Sequence, residues 1–410
     1  VRGVEVLVVY RFSYLDHLQC ARCGMRQAAA GQVQTCICGS PLLARYDLQG
    51  AAKSLTKQRL TSRPPTLWRY HELLPVTDPS AIVSLHEAMT PILPLAATGA
   101  EMDIDHLLLK DEGVLPSGTF KARGASVGIS KALELGVRNI AIPSNGNAGA
   151  AWSLYAARAG IHATVVTPQN APLTPRKECV IAGATLYVID GTIGDAGTVV
   201  QRACVKHNWY NVSTLKEPYR LEGKKTMGLE IAEQFGWSVP DVIIYPTGGG
   251  AGVIGIDKGL RELQEMGFIG AKFPRMVIVQ AAGCAPLVRA FRQGEPESQS
   301  WQDPHTIAFG MRVPKALGDS QILEIVRRSG GTAICVTDEQ IELERAATVR
   351  HEGLHVCPEG AAALAGARQL RASGWICEGE RVLVMNTGSG LKYVDQIAGS
   401  GVPIELSAEL

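Results

Sequence analysis

Short apolar runs alternate along most of the chain with segments whose apolar positions recur at helical spacing. Residues 106–112 (HLLLKDE), 139–144, 162–168, 185–191, 241–250, 274–283 and 381–390 read as buried strands, several running directly into glycine-bearing loops. Between them, residues 122–136, 147–160, 174–183, 193–208, 224–236, 251–267 and 360–374 read as helices, many ending at a glycine. Apolar strands alternating with amphipathic helices predict parallel sheet covered on both faces. Glycine loops at strand ends, without eight even units, favour open sheets over a barrel. The fold class expected is therefore α/β, with open, mostly parallel sheets flanked by helices.

Ahead of this region the pattern changes. Residues 1–14 (VRGVEVLVVYRFSY) read as a strand, since no small-residue cleavage site follows the apolar run. A cysteine-bearing head extends to about residue 45, closed by a strand within Pro41–Leu48. Residues 56–80, polar and proline-containing, read as an extended arm with a short helix.

Composition narrows the class of protein. The chain has 410 residues, and 40 Lys+Arg against 39 Asp+Glu leave a net charge of +1. That balance argues against nucleic acid or an anionic membrane surface as partner. No apolar run approaches the ~20 residues of a membrane span, and a cytoplasmic location is expected. Of the 10 cysteines, Cys20, Cys23, Cys36 and Cys38 are clustered. The scattered Cys179, Cys204, Cys284, Cys335, Cys357 and Cys377 read as buried free thiols.

Three strand ends carry unusual residues. Ser144-Asn-Gly-Asn-Ala-Gly149 opens a helix of small residues, where free backbone N–H groups suit a carboxylate. An Asn-Gly turn with an N-cap would look the same. Pro246-Thr-Gly-Gly-Gly-Ala-Gly252 leads into another helix, and such a glycine nest suits a phosphate. Gly250, Gly252 and Gly255 also match a dinucleotide fingerprint. The next strand, however, ends at Gln280 without the acidic residue that fingerprint needs. Asn386-Thr-Gly-Ser-Gly390 follows the last strand, where a hydroxyl can meet a ring nitrogen. To these is added Lys121, in the tight, apolar setting LPSGTFKARGA. A desolvated lysine has a lowered pKa and is a Schiff-base nucleophile. An amine, a phosphate loop, an amide and a ring-nitrogen partner are the handles pyridoxal phosphate requires.

These segments, in this order, resemble the fold-type II pyridoxal-phosphate enzymes (tryptophan synthase β-like) and, within them, the threonine synthases. SGTFKARGA resembles the Schiff-base lysine segment, SNGNAG the Ser-x-Gly-Asn loop, PTGGGAG the phosphate loop and TGSGLKY the C-terminal Thr-Gly-x-Gly segment. EPYRLEGKKTMGLEIAEQ, FGMRVP and CPEGAAAL are also threonine-synthase-like. The resemblance spans roughly residues 80 to 395. It implies Lys121 as Schiff-base lysine and proton shuttle, Phe120 stacked by the cofactor and Asn147 on its 3-hydroxyl. Gly248, Gly249, Gly250, Ala251 and Gly252 would cradle its phosphate, and Thr387 would meet its ring nitrogen. Ser144, Asn145 and Gly146 would hold the substrate carboxylate. The reaction implied is conversion of O-phospho-L-homoserine and water to L-threonine and phosphate. Candidates for a second phosphate subsite are Arg123, Arg176, Lys224, Lys225 and Arg312.

Ala122 and Ser389 stand where the family usually has Asp and His. A β-eliminating or β-replacing reaction, as in threonine or β-hydroxy-amino-acid ammonia-lyases and cysteate synthases, is thus the alternative. A non-catalytic binding protein on the same fold is a further one. The implied organisation is a zinc-ribbon-like head at 1–45, a large cofactor domain at 46–137 and 216–410, and a small mobile domain at 138–215. A homodimer is implied too, with residues 50–80 available for that contact. Cys20-x-x-Cys23 and Cys36-x-Cys38, each trailed by glycine, have thiolates at a spacing that suits tetrahedral Zn²⁺, a disulfide pair or a metal-free remnant being the other readings.

Overall fold

The computed structural model describes residues 11–397. The strand expected at residues 1–14 lies largely outside them; Ser13 and Tyr14, inside, are irregular and buried. The head is a three-stranded antiparallel sheet, with β1 (Leu15–Cys20) between β2 (Arg26–Ala28) and β3 (Leu42–Tyr46). Helices α1 (Leu48–Ser54) and α2 (Lys57–Thr61) follow, each started by a side-chain cap, Asp47 on Gly50 N–H and Thr56 on Arg59 N–H.

The extended arm expected at residues 56–80 is not an arm. Leu67, Tyr70, Leu73, Leu74 and Val76 are fully buried. The Trp68 indole donates to Ser126 Oγ at 3.1 Å, and Arg69 pairs with Glu233 at 2.8 Å. Many polar residues that pattern reading assigned to solvent pair with the body of the protein, so the segment is a strap, with residues 56–59 and 77–80 left exposed.

Two further sheets form the body. Chain order runs β4 (Ile92–Pro94), α3 (Ala96–Met102), β5 (His106–Asp111), α4 (Lys121–Glu134), β6 (Asn139–Pro143), α5 (Asn147–Ala159), β7 (His162–Pro168) and α6 (Leu173–Ile181). It continues through β8 (Thr185–Ile189), α7 (Ile193–His207), β9 (Tyr210–Asn211), α8 (Arg220–Gln234), β10 (Val242–Pro246), α9 (Ala251–Glu265) and β11 (Arg275–Ala281). The last elements are α10 (Pro286–Arg292), α11 (Asp319–Arg328), β12 (Thr332–Val336), α12 (Asp338–Glu352), α13 (Pro358–Ala372) and β13 (Arg381–Asn386). The larger sheet has the order β12-β11-β10-β13-β5-β4, parallel except for β4. The smaller, β8-β7-β6-β9, is parallel throughout. The expected open α/β architecture is what the chain adopts.

Elements β4, α3, β9, α10 to α12 and β12 are additional to those expected. Of α12, only Ile341, Glu344, Arg345 and Thr348 are buried, so its apolar face is too thin to read. Helix α8 starts at Arg220, ahead of the expected residue 224, because the Glu217 carboxylate accepts the N–H of Tyr219 at 2.9 Å and of Arg220 at 2.7 Å. Separate apolar cores sit on the two faces of the large sheet and around β6 and β7. Among the described residues no helix is long and apolar enough to cross a membrane.

Candidate active site

A cleft of about 390 Å³ opens beyond the carboxyl ends of strands from both body sheets. It brings together every residue that the sequence assigned to the cofactor or the substrate carboxylate: Phe120 and Lys121, Ser144 to Asn147, Gly248 to Gly252, and Thr387.

Lys121 begins α4. Its segment is stitched to the loop after β13 by backbone bonds: Phe120 N–H donates to Thr387 O at 3.0 Å, and Ser389 N–H to Gly118 O at 2.8 Å. The turn before it holds Ser117 at φ 71°, a strained setting for a residue with a Cβ. The Lys121 ammonium lies 3.9 Å from the centroid of the Phe120 ring. Burial, and then the charge of Arg220, lower the lysine pKa to about 7, against the opposing influence of Glu359 and Cys357. Much of the amine is therefore neutral and nucleophilic at physiological pH.

The glycine loop follows from close packing. Gly250 has φ 69°, and a Cβ on Gly252 would sit 1.9 Å from the Tyr245 hydroxyl. The loop ends at the start of α9, whose first N–H groups have no helical partner. Small backbone, a sharp turn and free donors fit the phosphate of pyridoxal phosphate.

In the loop after β6, Ser144 Oγ accepts the N–H of Gly146 at 3.0 Å and of Gly149 at 2.8 Å. Asn145 donates to Arg312 O at 3.1 Å. These bonds hold the loop's shape. Thr387 Oγ1 lies 3.7 Å from Cys357 Sγ, which caps α13 by accepting Gly360 N–H.

The structure adds residues that pattern reading left without a role. Cys357, taken as an ordinary buried thiol, lines the cleft, as do Arg220, Tyr245, Glu359 and Tyr393. Of the other scattered cysteines, Cys377 is exposed and Cys335 half-buried. Lys224 donates to the carbonyls of Phe120 at 2.6 Å and Lys121 at 3.2 Å. Burial, then Lys121 and Arg220, hold its pKa well below the ordinary value. Arg220 has a buried Nε without a partner, and burial brings its pKa down to about 10.

Most candidates for a second phosphate subsite fail. Arg123 is fully buried between Glu112 and Glu230, and Lys225 lies 2.7 Å from both Glu222 and Glu262. Arg176 donates to Gln169 O, Arg312 pairs with Asn170, and neither lines the cleft. Only Lys224 of the five does.

In the head, the sulfurs of Cys20, Cys23, Cys36 and Cys38 lie within 4.8 Å of one another. Cys20 and Cys38 are 3.5 Å apart, Cys23 and Cys36 3.6 Å, near the ~3.8 Å edge of a tetrahedron with ~2.3 Å metal–sulfur bonds. Backbone N–H groups of Arg22 and Cys23 point at Cys20 Sγ, 3.4 Å away, an arrangement that stabilises thiolate. The cluster can hold a metal ion.

Comparison with known proteins agrees with this geometry. A family model described as pyridoxal-phosphate dependent enzyme matches residues 83–388. The threonine synthase of Methanocaldococcus jannaschii is 34% identical over 96% of this chain and 97% of its own. That of Methanosarcina acetivorans is 36% identical over 92% of each. The solved structure of maize serine racemase superposes with a TM-score of 0.65 at 24% identity, covering 75% of this chain and 91% of its own. For a fungal L-serine ammonia-lyase from Rhizomucor miehei the TM-score is 0.64 at 20% identity, over 75% of this chain and 97% of its own. These two show the fold alone. The chain belongs to the pyridoxal-phosphate-dependent enzymes and, within them, to the threonine synthase-like carbon–oxygen lyases.

Proposed function

We propose that the protein is a threonine synthase, turning O-phospho-L-homoserine and water into L-threonine and phosphate. The observation that carries this reading is a second buried cation at the cleft, Arg220. The glycine loop before α9 suits one phosphate, the cofactor's. Arg220, which opens α8, adds positive charge beside Lys121 that this phosphate does not need. A substrate with its own phosphate uses that charge; serine or threonine would leave it idle.

Bound pyridoxal phosphate supplies the electron sink that lets the substrate's α and then β C–H bonds ionise. Lys121 holds the cofactor and takes and returns those protons at Nζ, a task that suits an amine titrating at about 7. Arg220 holds the phosphate as it leaves the γ carbon, before water adds at the β carbon. Ser144, Asn145 and Gly146 hold the substrate carboxylate. Asn147 donates to the cofactor's ring oxygen, Phe120 packs against the ring, and Thr387 meets its nitrogen. Gly248, Gly249, Gly250, Ala251 and Gly252 hold its phosphate. Residues 138–215 form the mobile domain, which carries residues 144–149 toward the cofactor when a carboxylate binds. The four-cysteine head holds one Zn²⁺.

The β-eliminating alternative drew on Ala122 and Ser389. Ala122 is fully buried beside Ala125 and Ile129, and neither Ala122 nor Ser389 lines the cleft, so these two departures do not favour the alternative. The test is Arg220→Ala. Loss of a buried cation facing a phosphate predicts a fall in kcat/KM for O-phospho-L-homoserine of about 30- to 1000-fold, with the cofactor's absorbance retained. Unchanged kcat/KM contradicts the reading.

A further inference from the structure

Tyr393 lies in the short helical segment after β13, and its ring is almost fully buried at the cleft. Its hydroxyl is 2.9 Å from Asn147 Nδ2 and 3.2 Å from Glu359 Oε1. The same Glu359 oxygen accepts the backbone N–H of Gly310 at 2.7 Å. A carboxylate offers only lone pairs, so the single phenolic proton goes to Glu359. The phenol oxygen then has only lone pairs to offer Asn147, and the amide must turn its NH₂ end toward it. Burial, followed by the charge of Glu359, raises the Tyr393 pKa well above 10, so the phenol keeps its proton at working pH.

Asn147 carries two amide protons. Tyr393 takes one, and the second is free for the cleft. Its Oδ1 is buried without a hydrogen-bond partner. Flipping the amide would set that oxygen against a phenol oxygen with no proton left to give. The chain Gly310–Glu359–Tyr393–Asn147 therefore defines the polarity of the amide at the first residue of α5. The contact also joins the layer of the small sheet to the segments around β13 and α13.

We propose that Tyr393, oriented by Glu359, is a positioning residue that locks Asn147 as a hydrogen-bond donor toward the cofactor's ring oxygen, favouring the anionic form of that oxygen. The proposal rests on the reading of Asn147 given above. It does not depend on which amino acid is the substrate.

The test uses holoprotein reconstituted with pyridoxal phosphate and the variants Tyr393→Phe, Asn147→Ala and their combination. Phenylalanine keeps the ring and so the packing. Two quantities are read without substrate: the cofactor dissociation constant, and the ratio of the long-wavelength band of the anionic ring oxygen to the short-wavelength band of the neutral hydroxyl. Loss of the phenol oxygen that orients the Asn147 amide predicts that Tyr393→Phe weakens binding about tenfold and lowers the band ratio about as much. The double variant should be no weaker than Asn147→Ala alone. Multiplicative effects in the double variant, or wild-type values for Tyr393→Phe beside altered values for Asn147→Ala, overturn the proposal while the assignment of Asn147 stands. Wild-type values for Asn147→Ala overturn both.

Discussion

Replacing Arg220 with glutamine should move the titration of Lys121 upward. Lys121 titrates at about 7, with burial the larger cause and the Arg220 charge the next. At pH 7 about half of an amine with that pKa is neutral, whereas an unperturbed lysine (pKa ~10.4) would be neutral in only about one molecule in 2500. Glutamine removes the second cause and leaves the first. A single nearby charge is worth about one pH unit, so the neutral fraction at pH 7 should fall from about a half to about a tenth. Only the neutral amine attacks an aldehyde, so the association rate of pyridoxal phosphate with cofactor-free protein should fall about fivefold at pH 7. At pH 9 both proteins are almost wholly neutral at this lysine, and the rates should converge. Stopped-flow absorbance between pH 6 and 10 gives both profiles. A wild-type midpoint near 10, or a midpoint lowered by Arg220→Gln, would refute the assignment of causes.

Other consequences can be checked together. Arg123→Met takes away the guanidinium that Glu112 and Glu230 share, leaving Lys110 on Glu230, and should cost about 3–5 kcal/mol of stability by denaturant unfolding; less than 1 kcal/mol would mean water enters the network. Gly252→Ala drives a Cβ into the Tyr245 hydroxyl, and cofactor affinity measured by titration should fall at least about tenfold. The purified protein should contain one equivalent of zinc by elemental analysis, lost in Cys20→Ser; chelation should lower the melting temperature, and a fully folded, zinc-free head would count against the site.

How much of this was legible in sequence depended on how local each signal was. Lys121 and the glycine loop declare themselves through their immediate neighbours, since a tight turn or a phosphate nest is built from consecutive residues. The alternation of strands and helices is equally local, and the mostly parallel, open architecture followed from it, without β4, β9 and β12. Arg123 shows the limit. Two positions from Lys121 it read as an available cation, but its partner Glu230 is 107 residues away. Arg220, Cys357, Glu359 and Tyr393 stood inside segments already noted for their family resemblance. Their roles arise only when α8, α13 and the segment after β13 converge on one cleft. The strap at residues 56–80 misled for the same reason, its polar side chains having partners elsewhere in the body.

The most direct measurement is the product balance with O-phospho-L-homoserine as sole substrate, beside L-threonine and L-serine assayed for ketoacid. The account predicts phosphate and L-threonine formed one to one, with no ketoacid from either amino acid at a comparable rate. Ketoacid accumulating from L-threonine or L-serine, with no phosphate released from O-phospho-L-homoserine, would contradict it.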